Sequence, residues 1–265
     1  MKVREWKGDW ALVTGASSGI GKIFAEQLAG AGLNVALVAR RRERLEALAG
    51  ALEKAHGART LVVAMDLAED GAPQRLKREL TRAGVRIRVL VNNAGFGQWG
   101  RFEKTAAETY DRMIRLNIAV LPAMCLLFRD DLGSHSGSAV INVSSLAALQ
   151  PVPYMAVYAA TKAFVQSFSL ALYEEWREQG IYVQTLVPGP TATEFDEVAG
   201  AYASKLGEKR ASPSDVVDKA LRALEAEAPL AAAAKGVLKQ RVLAALIPPK
   251  LFLREAGKMF RPSGD

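Results

Sequence analysis

A strand, a glycine-rich turn and a helix follow one another near the start of the chain, and they constrain its fold more than any other segment. Residues Trp10–Thr14 form a short apolar run that is typical of a buried strand. In the turn over residues 15–21, Gly15 permits a tight bend, Gly19 permits close approach of the backbone to a pyrophosphate, and Gly21 lets the helix pack on the strand. This context predicts a dinucleotide-binding loop, because a helix N-terminus offers free N–H groups to phosphate.

The second predicted strand ends at Ala39, and three arginines follow it at positions 40–42. An acidic residue there would accept hydrogen bonds from the adenosine ribose 2′-hydroxyl and repel a 2′-phosphate, whereas arginine does the reverse. We therefore predict NADP(H) as the cofactor in preference to NAD(H), with Arg40 as the principal ligand of the 2′-phosphate. The alternative is that these arginines begin a solvated helix, which is what we expect of Arg42 and Arg44.

Strand and helix patterns alternate along the rest of the chain. Further strands are predicted at 59–64, 88–91, 139–143 and 182–187, and helices at 41–55, 71–82, 106–116, onward to about 132, and 155–178. With 265 residues and no repeat or linker, the chain is predicted to be α/β: a single Rossmann-type doubly wound parallel sheet of about seven strands with helices on both faces. Residues 195–265 are expected to form a variable substrate lid and C-terminal segment, in which the alanine-rich run 229–234 is a poor strand by propensity.

Tyr158 and Lys162 stand four residues apart in a predicted helix, so their side chains converge on one face. A phenol with a pKa of about 10 is a poor acid or base at neutral pH, and a nearby ammonium would lower that pKa toward the working range. Ser145, which follows the strand at 139–143, could hydrogen-bond the oxygen that gains or loses the proton. The alternative is an exposed lysine that covers a packed ring.

Other polar residues lie where predicted strands end or a helix is interrupted. Asp66 follows the third strand, where it caps a turn or neighbours an adenine. Residues 92–95 lie at the carboxyl end of a strand, where α/β sheets place their ligands, although they could simply pack against the first loop. Asn117 interrupts a helical pattern, which is typical of a bend whose freed carbonyl could hold a water.

Together these motifs resemble the short-chain dehydrogenase/reductase family, in its compact single-domain branch. The matches follow the family order from about residue 8 to 195: Thr14-Gly15…Gly19-Ile20-Gly21, Asp66, Asn92-Asn93-Ala94-Gly95, Asn117, Ser145, Tyr158…Lys162 and Pro188-Gly189…Thr193. The resemblance implies an NADP(H)-dependent carbonyl reductase or alcohol dehydrogenase that needs no metal. It also implies a homodimer or homotetramer that forms through the long helices around 118–132 and 155–178.

The resemblance implies a role for each matching residue. Tyr158 would be the general acid in reduction, and Ser145 would orient and polarise the carbonyl, with Ser144 structural. Lys162 would lower the pKa of Tyr158 and hydrogen-bond the nicotinamide ribose, and Asn117 would hold a water that restores the proton. Cofactor contacts are implied for Gly15, Ser17, Ser18, Gly19, Ile20, Gly21, Arg40, Arg41, Asp66, Leu67, Asn93, Ala94, Gly95, Tyr158, Lys162, Pro188, Gly189, Thr191 and Thr193.

Apolar residues near the predicted strand ends favour a ketone or aldehyde on a lipid-like or aromatic body. They are Phe96, Trp99, Leu146, Leu149, Val152, Tyr154 and Phe195, and they could equally be ordinary core. A function of a different class is an NADP(H)-binding sensor or scaffold protein without turnover, against which the intact set of catalytic residues argues.

Composition limits the possible partners and the compartment. The net charge of +7 is diffuse, and without zinc spacing or a basic-aromatic ladder nucleic-acid binding is not expected. The single cysteine, Cys125, and the absence of an apolar signal or membrane-spanning stretch favour a cytoplasmic protein. Residues 235–261 carry seven basic residues against one acid, Glu255. We expect this basic segment to cover the substrate cleft or a subunit interface. Contact with anionic lipid or with a phosphate-bearing acyl carrier is the less favoured interpretation.

Overall fold

A parallel sheet of seven strands forms the centre of the protein. The computed structural model describes residues 3–200, 210–234, 236–237, 242 and 246–262. The strands are β1 Trp10–Thr14, β2 Asn34–Ala39, β3 Thr60–Ala64, β4 Ile87–Asn92, β5 Ser138–Val143, β6 Ile181–Val187 and β7 Leu230–Ala232. Their order across the sheet is β3-β2-β1-β4-β5-β6-β7, and each adjacent pair is parallel. The predicted doubly wound α/β architecture is therefore confirmed.

Helices cover both faces of this sheet. They are α1 Gly19–Gly30, α2 Arg42–His56, α3 Ala72–Arg82, α4 Ala107–Ile114, α5 Val120–Gly133, α6 Ala156–Arg177, α7 Phe195–Val198, α8 Pro213–Glu225 and α9 Pro249–Phe260. Successive strand residues point to opposite faces, which divides the core into two layers. Val13 packs in the layer that contains α1, α2 and α8, while its neighbour Leu12 packs in the layer that contains α3 and α5. Strands buried on both sides explain the continuous apolar runs in the sequence.

The alanine-rich run forms a strand in spite of its poor propensity. In β7, Leu230 pairs with Thr185 and Ala232 pairs with Val187, both on β6. Ala231 is buried beneath α8, where its small side chain lets the helix approach the sheet closely. Tertiary packing therefore outweighs the intrinsic preference of alanine at this edge.

The helix predicted over 106–116 is shorter than expected. Helix α4 ends at Ile114, and Arg115–Ala119 form a π-helical turn before α5 begins. Such turns inside helices are frequent at functional sites. The expected irregularity at Asn117 is thus present, and Asn117 itself lies at the middle of the turn.

Helix α9 is the last element that the structure describes. Three basic residues of the basic segment, Lys235, Lys239 and Arg241, lie outside the described residues. On α9, Glu255 forms ion pairs with Arg254 and Lys258. Among the helices that the structure describes, none has both the length and the apolar character that crossing a bilayer requires.

Candidate active site

The crevice for a ligand lies between β1 and β4, where the strand order reverses. The hydroxyl of Thr14, at the end of β1, donates to the main-chain oxygen of Val91 at 3.1 Å. In return, Asn93 donates its main-chain N–H to Thr14 Oγ1 at 2.9 Å and its side-chain amide to Thr14 O at 2.9 Å. Ligands of open α/β sheets bind at such a switch point. Asn93 therefore has a structural role there, since it joins the two strand ends.

The glycine turn after β1 has no room for side chains. Gly15 has a φ of +67°, and a Cβ placed on it would lie 2.7 Å from Asn93 Nδ2. A Cβ on Gly21 would lie only 2.3 Å from Gly15 O. Gly19, the first residue of α1, has a φ of +55° and lies against the methyl group of Thr193. The open helix N-terminus and the bare glycine backbone fit the pyrophosphate of a nicotinamide dinucleotide. Ser17, Ser18 and Ile20 complete this turn.

Arg41, and not Arg40, lies across the glycine turn of residues 15–21, which is called the phosphate turn from here on. The Arg41 guanidinium donates to Ser17 Oγ at 3.0 Å and to Ser18 Oγ at 2.9 Å. Arg40 is exposed, and it makes no hydrogen bond or ion pair with the described residues. Arg44, expected on a solvated helix face, instead pairs with Glu194 at 2.5 Å. The strand ends one residue before Arg40, and the chain then turns, so Arg41 is the arginine that faces the turn.

Asp66 follows β3 and stabilises the turn after it. Its Oδ1 accepts a hydrogen bond from the main-chain N–H of Ala68 at 3.0 Å, and its Oδ2 pairs with Arg112 of α4. Leu67 beside it is buried. These contacts agree with the capping role expected of Asp66 and leave its adenine-side role a prediction.

The two serines that directly follow β5, Ser144 and Ser145, have different surroundings. Ser144 is buried, and its hydroxyl donates to Lys162 O at 2.8 Å, so it fastens the strand to α6 as expected. Ser145 is partly accessible, accepts from Ala147 N at 3.1 Å and hydrogen-bonds the side chain of Tyr158. The structure thus brings Ser145 and Tyr158 together.

Tyr158 and Lys162 lie one turn apart on α6, and both are buried. Lys162 Nζ lies 5.9 Å from the centre of the Tyr158 ring and donates to Val143 O at 2.8 Å. Burial lowers the pKa of Lys162 to about 8. Burial raises the pKa of Tyr158 to about 12, against a lowering contribution from the Ser145 hydrogen bond.

The expected lowering of the Tyr158 pKa is therefore not found, because burial raises that pKa and Lys162 contributes no lowering. Desolvation disfavours the phenolate. The ammonium faces Val143, and burial also favours its uncharged form. The convergence of the two side chains was predictable from their spacing, but the dielectric environment around them was not.

Asn117 ties the π-helical turn to two other parts of the site. Its Nδ2 donates to Phe96 O at 2.9 Å and to Thr161 Oγ1 at 3.0 Å. Its Oδ1 accepts from Phe96 N at 3.3 Å. Next to it, a cavity of about 20 Å³ is bounded by Thr14, Asn117 and Lys162. Such a cavity is large enough for one water. Gly95 and Ala94 pass beside it, and a Cβ on Gly95 would lie 2.9 Å from Asn117 Oδ1.

The segment after β6 closes the other side of the crevice. Pro188 O accepts from Leu146 N at 2.9 Å, and Gly189 O accepts from Thr191 Oγ1 at 2.8 Å. Thr193 Oγ1 accepts from Phe195 N at 3.2 Å. The chain is therefore bent back over the glycine turn, where the resemblance implies contacts with the carboxamide.

The aromatic ring of Phe195 stands beside Tyr158. The ring of Phe195 lies 5.3 Å from that of Tyr158, and Gly97 fits between them, because a Cβ there would be 2.7 Å from Phe195 Cζ. Trp99 Nε1 donates to Phe260 O at 2.9 Å, so the end of α9 lies over this side of the site. Tyr154 adopts a φ of +64°, and its main-chain oxygen accepts a hydrogen bond from Gly100 N. Val152 by contrast is buried core.

Glu194 and Gly97 belong to the site, but neither was predicted from the sequence to have a role there. Glu194 follows Thr193 directly, and only in the folded chain does it lie near Arg41 and Arg44. Its position next to a cofactor motif was the one available signal, since no spacing rule joins residue 194 to residue 41.

Comparisons with known proteins agree with this geometry. Residues 9–202 match the model of the short chain dehydrogenase family. Over 197 residues the chain is 36% identical to the very-long-chain 3-oxoacyl-CoA reductase of Anas platyrhynchos, a match that covers 72% of this chain and 62% of that protein. The matched region thus spans less than two thirds of the length of that curated relative.

Solved structures are similar over nearly the whole chain. One is a short-chain dehydrogenase from Sphingobium yanoikuyae in complex with NADPH, with a TM-score of 0.80, 33% identity, and coverage of 91% of this chain and 96% of that one. Another is the bulky-bulky ketone specific alcohol dehydrogenase from Comamonas testosteroni, with a TM-score of 0.77, 27% identity, and coverage of 97% and 95%. With the family match, the sheet topology and the Ser145–Tyr158–Lys162 cluster all in agreement, the chain belongs to the short-chain dehydrogenase family.

Proposed function

We propose that the protein is an NADP(H)-dependent oxidoreductase that reduces a ketone or aldehyde with a bulky apolar body. The observation that carries this proposal is the Tyr158 side chain, which is hydrogen-bonded to Ser145 and stands between Lys162 and the ring of Phe195. A proton donor, a second hydroxyl and an apolar wall therefore meet at one point of the crevice.

Tyr158 is placed to act as the acid in the direction of reduction, because its side chain is hydrogen-bonded to Ser145. Its phenol carries the proton at neutral pH, although burial raises its pKa to about 12 and so makes it a weaker acid than a phenol in water. Ser145 Oγ would hold the carbonyl oxygen beside that proton, so the oxygen becomes a hydroxyl as the carbon is reduced. A bound nicotinamide supplies the hydride in this chemistry. Lys162 and the cavity beside Asn117 offer a route for a proton back to Tyr158.

The cofactor preference rests on Arg41. Its guanidinium lies on Ser17 and Ser18 at the start of the phosphate turn, with Arg44 close by through Glu194. Two guanidinium groups at this end of β2 are suited to a 2′-phosphate. The similarity to the dehydrogenase from Sphingobium yanoikuyae in complex with NADPH supports the same cofactor.

The substrate class rests on the residues around Tyr158. The ring of Phe195 offers apolar surface on one side of the phenol, with Gly97 between the two rings. The names of two similar proteins, a very-long-chain 3-oxoacyl-CoA reductase and a bulky-bulky ketone specific alcohol dehydrogenase, support a large carbonyl substrate.

The experiment follows oxidation of NADPH, with NADH in parallel, by the purified protein against carbonyls graded in size and polarity. We expect turnover with NADPH that increases toward bulky apolar ketones. Tyr158→Phe should lower kcat by about 10²–10⁴-fold and leave NADPH binding measurable, since it removes only the phenolic hydroxyl and keeps the ring. Tyr110→Phe, which removes an exposed phenol that contacts Phe102 O, is the matched control.

Activity confined to small polar polyols would contradict the substrate class. NADPH binding without turnover of any carbonyl would instead favour the sensor or scaffold function. Cytoplasmic location and a homodimeric or homotetrameric state stay predictions.

A further inference from the structure

Glu194 holds both arginines that stand at the phosphate turn. Its Oε2 lies 2.7 Å from Arg41 Nη1, and its Oε1 lies 2.5 Å from Arg44 Nη1. The two guanidinium groups hold the pKa of this carboxyl at about 2, far below its ordinary value. At neutral pH the group is therefore an anion that is bound between two cations.

The same guanidinium atoms would be needed by a phosphate. Arg41 already directs Nε and Nη2 at Ser17, and Nη2 also at Ser18, which leaves Nη1 for an anion. That nitrogen donates a hydrogen bond to Glu194 Oε2. An anionic group that binds to Arg41 and Arg44 must displace the Glu194 carboxylate or lie beside it, and like charges in contact repel each other.

We infer that Glu194 is an intramolecular competitor of the cofactor 2′-phosphate for Arg41 and Arg44, and that it limits the selectivity of this protein for NADP(H) over NAD(H). The inference rests on the proposed NADP(H)-dependent function. A cofactor with a free 2′-hydroxyl does not have to displace the carboxylate, so the competition acts on the phosphorylated cofactor alone.

The position of Glu194 also connects the cofactor site with Phe195, the apolar residue beside Tyr158. It directly precedes Phe195, whose ring lies 5.3 Å from that of Tyr158. Phe195 N is held by Thr193 Oγ1, and Thr193 lies against Gly19 of the phosphate turn. Release of the Glu194 carboxylate therefore removes one of the contacts that hold the start of α7, and binding of a 2′-phosphate is coupled to Phe195.

The test compares dissociation constants of NADPH, NADH and adenosine 2′,5′-bisphosphate, measured by calorimetry, for the wild type, Glu194→Gln and Glu197→Gln. Glu197 is the matched control, because it lies three residues away on α7 and removal of its carboxylate changes the net charge equally. We expect Glu194→Gln to tighten NADPH and the bisphosphate by about fivefold, which is the scale of a partly exposed ion pair, and to change NADH by less than about twofold. Glu197→Gln should change none of them by more than about twofold.

Equal tightening of NADPH and NADH would overturn the inference, and so would weaker binding of the bisphosphate, which would mean that Glu194 organises the arginines. Thermal unfolding of the variants checks that they are folded. Glu194→Ala is the second variant, and it should show the same selective gain.

A hydrogen-exchange experiment tests the connection to α7. We expect saturating NADPH to change the exchange of the backbone N–H groups of residues 195–199 relative to saturating NADH, and we expect this difference to vanish in Glu194→Gln. The same exchange with both cofactors in the wild type would overturn the coupling.

Failure of the proposed function would look different. A wild type that binds neither dinucleotide would contradict the proposed function. A wild type that reduces carbonyls with NADPH, together with an unchanged NADPH-to-NADH ratio in Glu194→Gln, would contradict the inference alone.

Discussion

Lys162 Nζ donates a hydrogen bond to the main-chain oxygen of Val143, and the two atoms are 2.8 Å apart. Val143 is the last residue of β5, and Ser144 and Ser145 follow it directly. Ser144 returns a bond to Lys162 O, so the strand and α6 are joined in both directions. The spacing between Ser145 and Tyr158 is therefore set by a buried lysine.

We predict that Lys162→Met stabilises the protein at pH 7 while it removes activity. The pKa of Lys162 is about 8 in the folded protein and 10.5 ordinarily, so keeping the buried ammonium costs about 3 kcal/mol below pH 8. The unpaired Val143 carbonyl offsets about 1–2 kcal/mol of the gain. Denaturant unfolding should show a net gain of about 1–2 kcal/mol at pH 7.

That gain should shrink between pH 8 and 10.5, because the wild-type lysine becomes neutral in the folded state before it does so in the unfolded chain. Lys54→Met, an exposed change on α2, is the control and should change little. A Lys162→Met variant that unfolds more readily at pH 7 would contradict the prediction.

We predict that the Tyr158 phenol stays protonated far into the alkaline range. Burial raises its pKa to about 12. An ultraviolet difference titration of the wild type against Tyr158→Phe should show no phenolate from this residue near pH 10, where a phenol in water is half ionised. The unfolded chain loses this proton first, so the stabilising contribution declines as the pH rises from 10 to 12. A Tyr158 transition near pH 10 would show that the phenol is solvated.

We predict opposite effects for two glycine-to-alanine substitutions in helices. In Gly21→Ala, the new Cβ would meet Gly15 O at 2.3 Å, so α1 must shift away from the phosphate turn. We expect a loss of several kcal/mol of stability and loss of dinucleotide binding, as for severe overpacking. In Gly50→Ala on α2, the Cβ meets nothing within 4 Å, and we expect a gain of about 0.5–1 kcal/mol. Thermal unfolding and NADPH binding measure both effects, and a tolerated Gly21→Ala would contradict the packing described for the turn.

We predict that Asn117→Ala loosens the loop that carries Phe96. The variant loses bonds to Phe96 O, Phe96 N and Thr161 Oγ1 in a buried site. We expect a loss of about 2 kcal/mol in the free energy of unfolding, because buried groups lose their partners. Thr161→Ser retains the hydroxyl and is the matched control, which should stay within about 1 kcal/mol of the wild type. Asn117→Ala with wild-type stability would show that water replaces all three bonds.

Much of the fold was predictable because its signals are local. The apolar run at Trp10–Thr14 and the run at 34–39 coincide with β1 and β2, since buried parallel strands are apolar throughout. The glycine turn was predictable because only glycine tolerates both the positive φ at residue 15 and the close contact at residue 21. The strand at Leu230–Ala232 was less predictable, because it depends on a neighbouring strand and a covering helix.

The sequence by itself determined the order of strands and helices, the glycine turn and the four-residue spacing of Tyr158 and Lys162, because these depend on residues close together in the chain. Only the tertiary structure decided which arginine faces the turn, that the Glu194 carboxylate pairs with this arginine, and that burial raises the pKa of Tyr158. Those features depend on distances between residues far apart in the chain and on exclusion of water. Neither quantity is encoded in local spacing.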